Sequence, residues 1–276
     1  MAKSQSKKDK PVEGANMPIP YEDVRDWLNV VESMGELKRI DGADWNLEMG
    51  TLAELIYRER SGTIPALLFD RIKGYPEGSR ILFGQHCSYR RLALAAGLPM
   101  DSVGLKLVNR FKEKLNRLQP ILPRIVKKGP ILENQMAGDG IDLLKFPVPK
   151  IHELDGGRFI GTACIAVTRD PEEGWLNLGT YRAMVHDARS VGLFMSSVGK
   201  HGRVHMEKYF RADKPCPVIL CVGQDPLLLL AAGNPIELGY SEYNYCGGIR
   251  GKPFDLVEGE VTGLPFPAQA EIAIEG

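Results

Sequence analysis

A proline-rich segment in the middle of the chain separates two stretches of different sequence character. Residues 119–152 carry irregularly spaced prolines and glycines, namely Pro120, Pro123, Pro130, Gly138, Gly140, Pro147 and Pro149. Proline lacks the backbone N–H that helices and central strands use, so this composition is typical of a linker or an extended edge segment. We therefore predict a Pro-rich linker over residues 119–152, with a domain on each side.

The stretch before the linker alternates between helical and strand-like patterns. Val24, Trp27, Leu28 and Val31 recur at spacings of three and four, which predicts a helix over residues 21–34. Further helices are predicted over residues 47–60, 89–96 and 102–118, and strands over residues 36–40, 66–69 and 80–83. This alternation predicts an α/β domain over residues 15–118. Residues 1–14 are rich in Lys and Ser and are predicted to form a disordered tail.

The stretch after the linker, residues 153–276, contains short apolar runs separated by turn residues. The runs predict strands over residues 161–168, 175–185, 191–195, 217–222, 254–261 and 270–274, and a short helix over residues 201–210. The apolar run 226–232 is interpreted as a buried strand or strand end, and the glycine-rich run 239–251 as a turn between strands unless it forms part of a binding site. Many short strands with frequent turns predict a barrel or a packed sheet.

Composition excludes several classes of protein. Lys plus Arg and Asp plus Glu both number 35, so the neutral chain has no general attraction to nucleic acid. The five cysteines are irregularly spaced, which favours reduced thiols and a cytoplasmic location over a disulfide framework. No apolar run is long enough to span a bilayer, and the N-terminus lacks the apolar core of a signal peptide.

Three segments carry residues suited to binding and catalysis. The first is residues 177–187, where an Arg fork suits a phosphate or carboxylate, unless Arg182 merely pairs with a surface acid at a polar strand edge. A kink at Gly179 would bring Asn177 and Arg182 to one site. The second segment is residues 198–205, where glycines flank His201, although a lone histidine is more often a packing residue than a ligand. The third contains Glu242 among tyrosines and glycines. Asn, His and Glu together form a mixed ligand set that suits Mn²⁺ or Mg²⁺.

Several of these motifs, in order, make the chain resemble the UbiD family of decarboxylases. The motifs are Asn-Leu-Gly-Thr-Tyr-Arg at 177–182, Met-Val-His-Asp at 184–187, Gly-Lys-His-Gly at 199–202, Ser-Glu-Tyr-Asn-Tyr-Cys-Gly-Gly-Ile-Arg-Gly at 241–251 and the Pro-Ala-x-Ala-Glu-Ile-x-Ile-Glu-Gly pattern near residues 267–276. The resemblance extends over nearly everything after residue 14. It implies a mixed α/β (α+β) fold, in which the N-terminal α/β unit precedes a split-β-barrel-like flavin-binding domain over residues 153–276.

The resemblance also implies a chemistry and a partner set. Such enzymes use prenylated FMN, bound through a divalent metal (Mn²⁺ or Mg²⁺) and K⁺, to add or remove CO₂ at aromatic or α,β-unsaturated acids. A flavin prenyltransferase supplies the cofactor, and the enzymes are expected to be homo-oligomers. By position, the metal ligands are Asn177, His201 and Glu242. The residues implied in cofactor binding are Thr180, Tyr181, Arg182, Phe194, Met195, Ser196 and His201. Arg182 is also implied as the catalytic arginine.

One departure from the family pattern concerns the catalytic acids. In the family these follow the final strand motif, and Glu271 and Glu275 belong to that motif rather than to the acid pair. The expectation is a fragment that lacks the C-terminal domain, so that the flavin-binding domain is incomplete. The alternatives are a non-catalytic flavin-binding subunit of a split decarboxylase and an unrelated split-barrel flavin reductase. Neither the substrate acid nor the direction of the reaction is predicted.

Overall fold

A computed structural model describes residues 17–59, 63–195 and 199–276. Its α-helices are α1 (Val24–Ser33), α2 (Glu48–Arg58), α3 (Tyr89–Ala96), α4 (Leu105–Asn116), α5 (His201–Arg211), α6 (Pro226–Ala232) and α7 (Glu242–Arg250). Its strands are β1 (Leu37–Asp41), β2 (Ala66–Asp70), β3 (Ile81–Phe83), β4 (Arg124–Ile125), β5 (Arg158–Gly161), β6 (Ile165–Arg169), β7 (Leu176–Gly179), β8 (Arg182–Val185), β9 (Val191–Phe194), β10 (Ile219–Val222), β11 (Asp255–Glu258), β12 (Pro265–Pro267) and β13 (Ile272–Glu275). The predicted tail, residues 1–14, lies outside the described residues.

The N-terminal unit is a small sheet covered by helices on both faces. Its strands pair in the order β1-β2-β3, with β1 and β2 parallel and β3 antiparallel to β2. Alternate residues of β2 point to opposite faces, so Leu68 packs in the cluster of α1 and α3, whereas Leu67 and Phe69 pack in the cluster of α2. Burial on both faces explains why β2 is apolar throughout.

The Pro-rich segment is held against both of its neighbours. Within it, β4 pairs in parallel with β11, and an isolated bridge joins Lys150 to Asn46 near the start of α2. The rest contains three short 3-10 turns. The segment therefore behaves as an extended edge element here, and the domain boundary assigned to it stays a prediction.

The remaining strands form small stacked sheets. The central sheet has the antiparallel order β13-β10-β6-β7, and a second sheet has the order β5-β8-β9. Ile165 and Val167 of β6 face one hydrophobic cluster with α6 and α7, whereas Ala166 faces another cluster with β5 and β8. The central sheet is thus buried on both faces. The predicted mixed α/β class is confirmed, and none of the four sheets within the described ranges closes into a barrel.

Two segments predicted as single strands are divided. Residues 175–185 form β7 and β8, which belong to different sheets, and residues 161–168 are shared between β5 and β6. The prediction of one continuous strand over residues 175–185 was therefore wrong. Alternation of side chains cannot reveal such a break, because both halves keep a period of two.

Two other segments are helices instead of extended structure. Residues 226–232 form α6 rather than a strand, because the Asp225 side chain accepts the Leu227 N–H and Pro226 occupies the first turn. Residues 242–250 form α7 rather than a turn. Its Gly247 and Gly248 permit close approach to the Pro-rich segment, since an added Cβ would lie 2.4 Å from the carbonyl oxygens of Ile121 and Gln119. Among the described residues, no helix combines the length and the apolar character that a membrane crossing requires.

Candidate metal and flavin site

Tyr181 connects the break between β7 and β8 to the start of α5. Its ring folds over Gly179, where an added Cβ would lie 2.4 Å from the ring. Its hydroxyl accepts the N–H of Gly202 at 3.1 Å, and the side chain of Asn177 is near enough to lower the pKa of this hydroxyl against the larger effect of burial. The phenol oxygen thus binds the residue next to His201 and lies near the side chain of Asn177.

Glu242 approaches the same strand from the opposite direction. It is the first residue of α7, its side chain is buried, and its Oε2 accepts the backbone N–H of Leu178 at 2.8 Å. Burial raises the pKa of this carboxyl to about 7. Among the described residues no cationic side chain forms an ion pair with it. The hydroxyl of neighbouring Ser241 is buried and has no hydrogen-bond partner there. A cation in this position would offset the desolvation of the carboxylate.

His201 begins α5 and lies edge-on against Trp175, with the ring centroids 5.3 Å apart. Burial, with a contribution from Lys200, lowers the pKa of His201. A lowered pKa favours the neutral imidazole, which is the form that binds metals. The structure therefore places Asn177, Glu242 and the beginning of α5 around Tyr181.

The donor types in this cluster fit a hard or borderline divalent ion. They comprise an amide, an imidazole and a carboxylate, contributed by β7, α5 and α7. Among the described residues, no three His, Cys, Asp or Glu side chains come together in a group that could hold a metal. The candidate set contains only two residues of those types, because its third member is an asparagine.

A second cluster lies on the sheet of β5, β8 and β9. Arg182 of β8 stands opposite Phe194 of β9, and its guanidinium lies 5.3 Å from the centroid of that ring. A cavity of about 430 Å³ opens here, lined by Phe159, Arg182, Met184, His186, Gly192, Leu193 and Phe194. Mixed apolar walls with one cation suit a flat, anionic organic molecule.

The other residues implied in cofactor binding lie near these two clusters. Thr180 is half-buried in the break between β7 and β8, and Met195 is buried at the end of β9, with its carbonyl 3.4 Å from a guanidinium nitrogen of Arg203. Ser196 lies outside the described residues. The roles assigned to all of these positions stay predictions.

The two glutamates of the last strand motif have structural partners. Glu271 pairs with Arg25 of α1 at 3.2 Å. The carboxylate of Glu275 accepts hydrogen bonds from the backbone of residues 260–262 and from the Thr262 hydroxyl. Both are therefore used in packing the chain, in keeping with their assignment to the strand motif.

Three residues to which the sequence alone gave no role are connected to Asn177 by contacts in the interior. Thr168 is its cross-strand neighbour, His205 contacts Thr168, and Trp175 lies against the rings of both His201 and His205. One signal for His205 was present in the sequence, since it follows His201 by four residues on a predicted helix and so shares its face. Thr168 carried no signal, because its role depends on strand pairing.

Comparison with known proteins identifies the family. Residues 28–111 match the 3-octaprenyl-4-hydroxybenzoate carboxy-lyase N-terminal domain. Residues 124–276 match the Rift-related domain of the same carboxy-lyases. The chain belongs to the UbiD family.

Relatives and solved structures of the UbiD family agree with this assignment. The chain is 33% identical to the pyrrole-2-carboxylic acid decarboxylase of Pseudomonas aeruginosa over 262 residues, which cover 92% of this chain and 52% of the relative. It resembles the UbiD-class enzyme HmfF from Pelotomaculum thermopropionicum in complex with FMN, at 30% identity and a TM-score of 0.79, covering 92% of this chain and 54% of that one. The vanillic acid decarboxylase of Sedimentibacter hydroxybenzoicus gives 30% identity and a TM-score of 0.82, with 93% and 54% covered. The chain spans about half the length of these relatives.

Proposed function

We propose that this chain belongs to a non-oxidative carboxy-lyase that adds or removes CO₂ at aromatic or α,β-unsaturated carboxylic acids with prenylated FMN. The observation that carries the proposal is the convergence of Asn177, Glu242 and the start of α5 around Tyr181, within a UbiD-family fold. Three separate segments contribute to this cluster, and simple packing does not require an amide and an unpaired buried carboxylate at that place.

The proposed metal ligands are Asn177, His201 and Glu242, with Mn²⁺ or Mg²⁺ as the ion. The fit rests on Glu242, a buried carboxylate without an ion-pair partner in the described part of the chain. Such a group calls for a nearby cation. A K⁺ ion beside the divalent metal completes the proposal, and the buried Ser241 hydroxyl is an available oxygen ligand near Glu242.

The proposed flavin segment consists of Thr180, Tyr181, Arg182, Phe194, Met195, Ser196 and His201. When bound, the prenylated flavin supplies the electron sink for the loss of CO₂. Arg182 is the proposed catalytic arginine: its exposed guanidinium borders the cavity and can hold a carboxylate through two parallel hydrogen bonds. Phe194 limits the orientations of that guanidinium by its cation–π contact.

Other parts of the proposal come from the family resemblance. A flavin prenyltransferase supplies the cofactor, and the protein assembles as a homo-oligomer. The free state of all five cysteines supports a reducing, cytoplasmic location.

Retention of flavin after co-expression with a flavin prenyltransferase tests the proposal. Purified wild type is expected to carry prenylated FMN, identified by its absorbance and by the mass of the released cofactor. Asn177→Ala is expected to lose most of it, because one proposed metal ligand is gone. Asn116→Ala, at an exposed position of α4, is the matched control and should retain the wild-type amount. Equal retention in both variants, or none in the wild type, would contradict the proposal.

A further inference from the structure

A row of buried polar side chains extends from Asn177 into the protein interior. Thr168 and His205 are completely buried, and Asp170 and Asn177 are nearly so. The Asn177 Nδ2 lies 3.4 Å from the Thr168 Oγ1, which lies 2.9 Å from the His205 Nδ1. The other ring nitrogen, Nε2, has no hydrogen-bond partner among the described residues, and the Asp170 Oδ2 is 3.8 Å from it. The proposed reaction assigns no role to Thr168, His205 or Asp170.

Asp170 determines which nitrogen of His205 carries the proton. Its Oδ2 accepts from Lys208 at 2.7 Å, and its Oδ1 accepts two backbone N–H groups, so it is an ionised acceptor. A proton on Nε2 points a positive N–H toward this carboxylate, whereas a proton on Nδ1 would leave a lone pair facing it. The Nε2–H tautomer is therefore favoured.

The imidazole of His205 is neutral. The ring is completely buried, and Asp170 already has an ion-pair partner in Lys208, which it shares with Glu172. Burial lowers the pKa of His205 to about 4, in agreement with this placement. A neutral Nε2–H ring presents Nδ1 as an acceptor only, so the Thr168 hydroxyl must donate to it.

We propose that Thr168 and His205 are positioning residues that fix the carboxamide of Asn177 with its oxygen toward the metal. Because the Thr168 hydroxyl donates to His205, its oxygen accepts from the amide nitrogen of Asn177. The opposite order, with Nδ1–H donating to Thr168 and Thr168 donating to Oδ1, would present an NH₂ group to the cation. The inference rests on the proposed function, since it concerns the same metal site.

Tyr181 lies near the same side chain. Its hydroxyl oxygen accepts the Gly202 N–H, and Asn177 lowers the pKa of this hydroxyl against the larger effect of burial. Thr168 offers an oxygen acceptor to the amide nitrogen of Asn177. The Oδ1 atom is then left for the ion, and outer-shell partners of this kind change metal affinity by about 10–100-fold when removed.

Binding of Mn²⁺ followed by electron paramagnetic resonance tests the proposal on the full chain. Thr168→Val, which has nearly the same shape and no hydroxyl, is expected to weaken Mn²⁺ binding by about tenfold or more. Thr168→Ser keeps the hydroxyl and is expected to bind within about threefold of wild type. Unfolding curves of both variants establish that they remain folded. A loss in Thr168→Val with retention in Thr168→Ser is a pattern that general destabilisation would not produce.

The tautomer of His205 provides a second readout, which is measured on the wild-type chain. In ¹⁵N-histidine-labelled wild type, long-range proton–nitrogen spectra should show His205 with Nδ1 unprotonated and Nε2 protonated, assigned from the signal missing in His205→Gln. A protonated Nδ1 would overturn the proposal.

The two failures are distinguishable. If Asn177→Ala loses Mn²⁺ while Thr168→Val binds as wild type, only the positioning proposal is overturned. If wild type and Asn177→Ala bind Mn²⁺ equally, the proposed metal site is wrong, and the proposal for Thr168 and His205 is wrong as well.

Discussion

Tyr181 occupies space that exists only because two neighbouring positions are glycine. An added Cβ at Gly179 would lie 2.4 Å from its ring, and one at Gly202 would lie 2.6 Å from its hydroxyl oxygen. Both distances are far below a normal contact between non-bonded heavy atoms. These glycines are therefore required by the close approach of a side chain and not by a special backbone angle. The site depends on them as much as on its polar residues.

Gly202→Ala is predicted to displace the Tyr181 hydroxyl and so to disturb the proposed site around it. We expect a loss of about 1–3 kcal/mol in the free energy of unfolding, as for other overpacked sites, together with weaker retention of flavin. Chemical denaturation and flavin absorbance measure the two effects. Gly233→Ala is the matched control, because its added Cβ would meet neighbouring atoms at an ordinary 3.6 Å. An equal response in both variants would show that Tyr181 is not held in this way.

The residues of the site differ in how far the sequence could predict them. Asn177, His201 and Glu242 were proposed as a ligand set from motif resemblance, and the structure places Asn177, Glu242 and the start of α5 together. Thr168 and Trp175 could not be proposed. Their positions depend on the pairing of β6 with β7 and on the packing of α5, which are long-range contacts that no local spacing encodes.

Among the helices, α6 shows how one capping residue can override an apolar pattern. Its sequence is apolar throughout, and periodicity alone does not separate a buried helix from a buried strand in so short a run. Asp225 and Pro226 supplied the missing information, because an acid at the N-cap followed by proline is a helix-start signal. The amphipathic helices α1 to α5 were predicted within a few residues, since their apolar residues recur at helical spacing.

The ion pair between Asp225 and Arg250 joins α6 to α7. We predict that its loss lowers the stability of the chain. Both side chains are buried and form a hydrogen-bonded ion pair, so Arg250→Met leaves the Asp225 carboxylate buried without its partner. We expect the free energy of unfolding to fall by about 3–5 kcal/mol. Arg211→Met, on the exposed end of α5, should change it by less than about 0.5 kcal/mol.

A second variant distinguishes the loss of the charge pair from the loss of packing. Arg250 also lies over the rings of Tyr21 and Phe254, at 5.3 Å and 4.5 Å. Adding Asp225→Asn to Arg250→Met removes the unpaired charge but keeps a capping side chain for α6. The double variant should therefore be more stable than Arg250→Met alone. If the double variant is less stable than Arg250→Met, the destabilisation by Arg250→Met comes from lost packing and not from the unpaired charge.

Across the chain as a whole, the two sides of the Pro-rich segment are packed together. Arg250 of α7 contacts Tyr21 near α1, Arg25 of α1 contacts Glu271, and Leu230 of α6 packs on the cluster of α3. The mixed α/β class could be predicted from the order of patterns along the chain. The way in which the sheets and helices pack on one another could not be predicted, because it depends on which of their apolar faces come into contact.

The candidate metal site also spans distant parts of the sequence, so binding and folding are coupled. A ligand that binds only the folded chain raises its stability in proportion to the logarithm of ligand concentration over Kd. In the proposed site, residues of β7, α5 and α7 would all have to be in place to bind the ion, and Glu242 is its buried carboxyl group.

Thermal unfolding of the full chain with and without Mn²⁺ therefore measures the site directly. We predict that Mn²⁺ raises the Tm of wild type and of Glu237→Gln, a control at an exposed position, but leaves the Tm of Glu242→Gln nearly unchanged. Glutamine keeps an oxygen acceptor for the Leu178 N–H, so the difference reports the charge. An equal rise in all three proteins, or none in the wild type, would contradict the assignment of Asn177, His201 and Glu242 as a metal site.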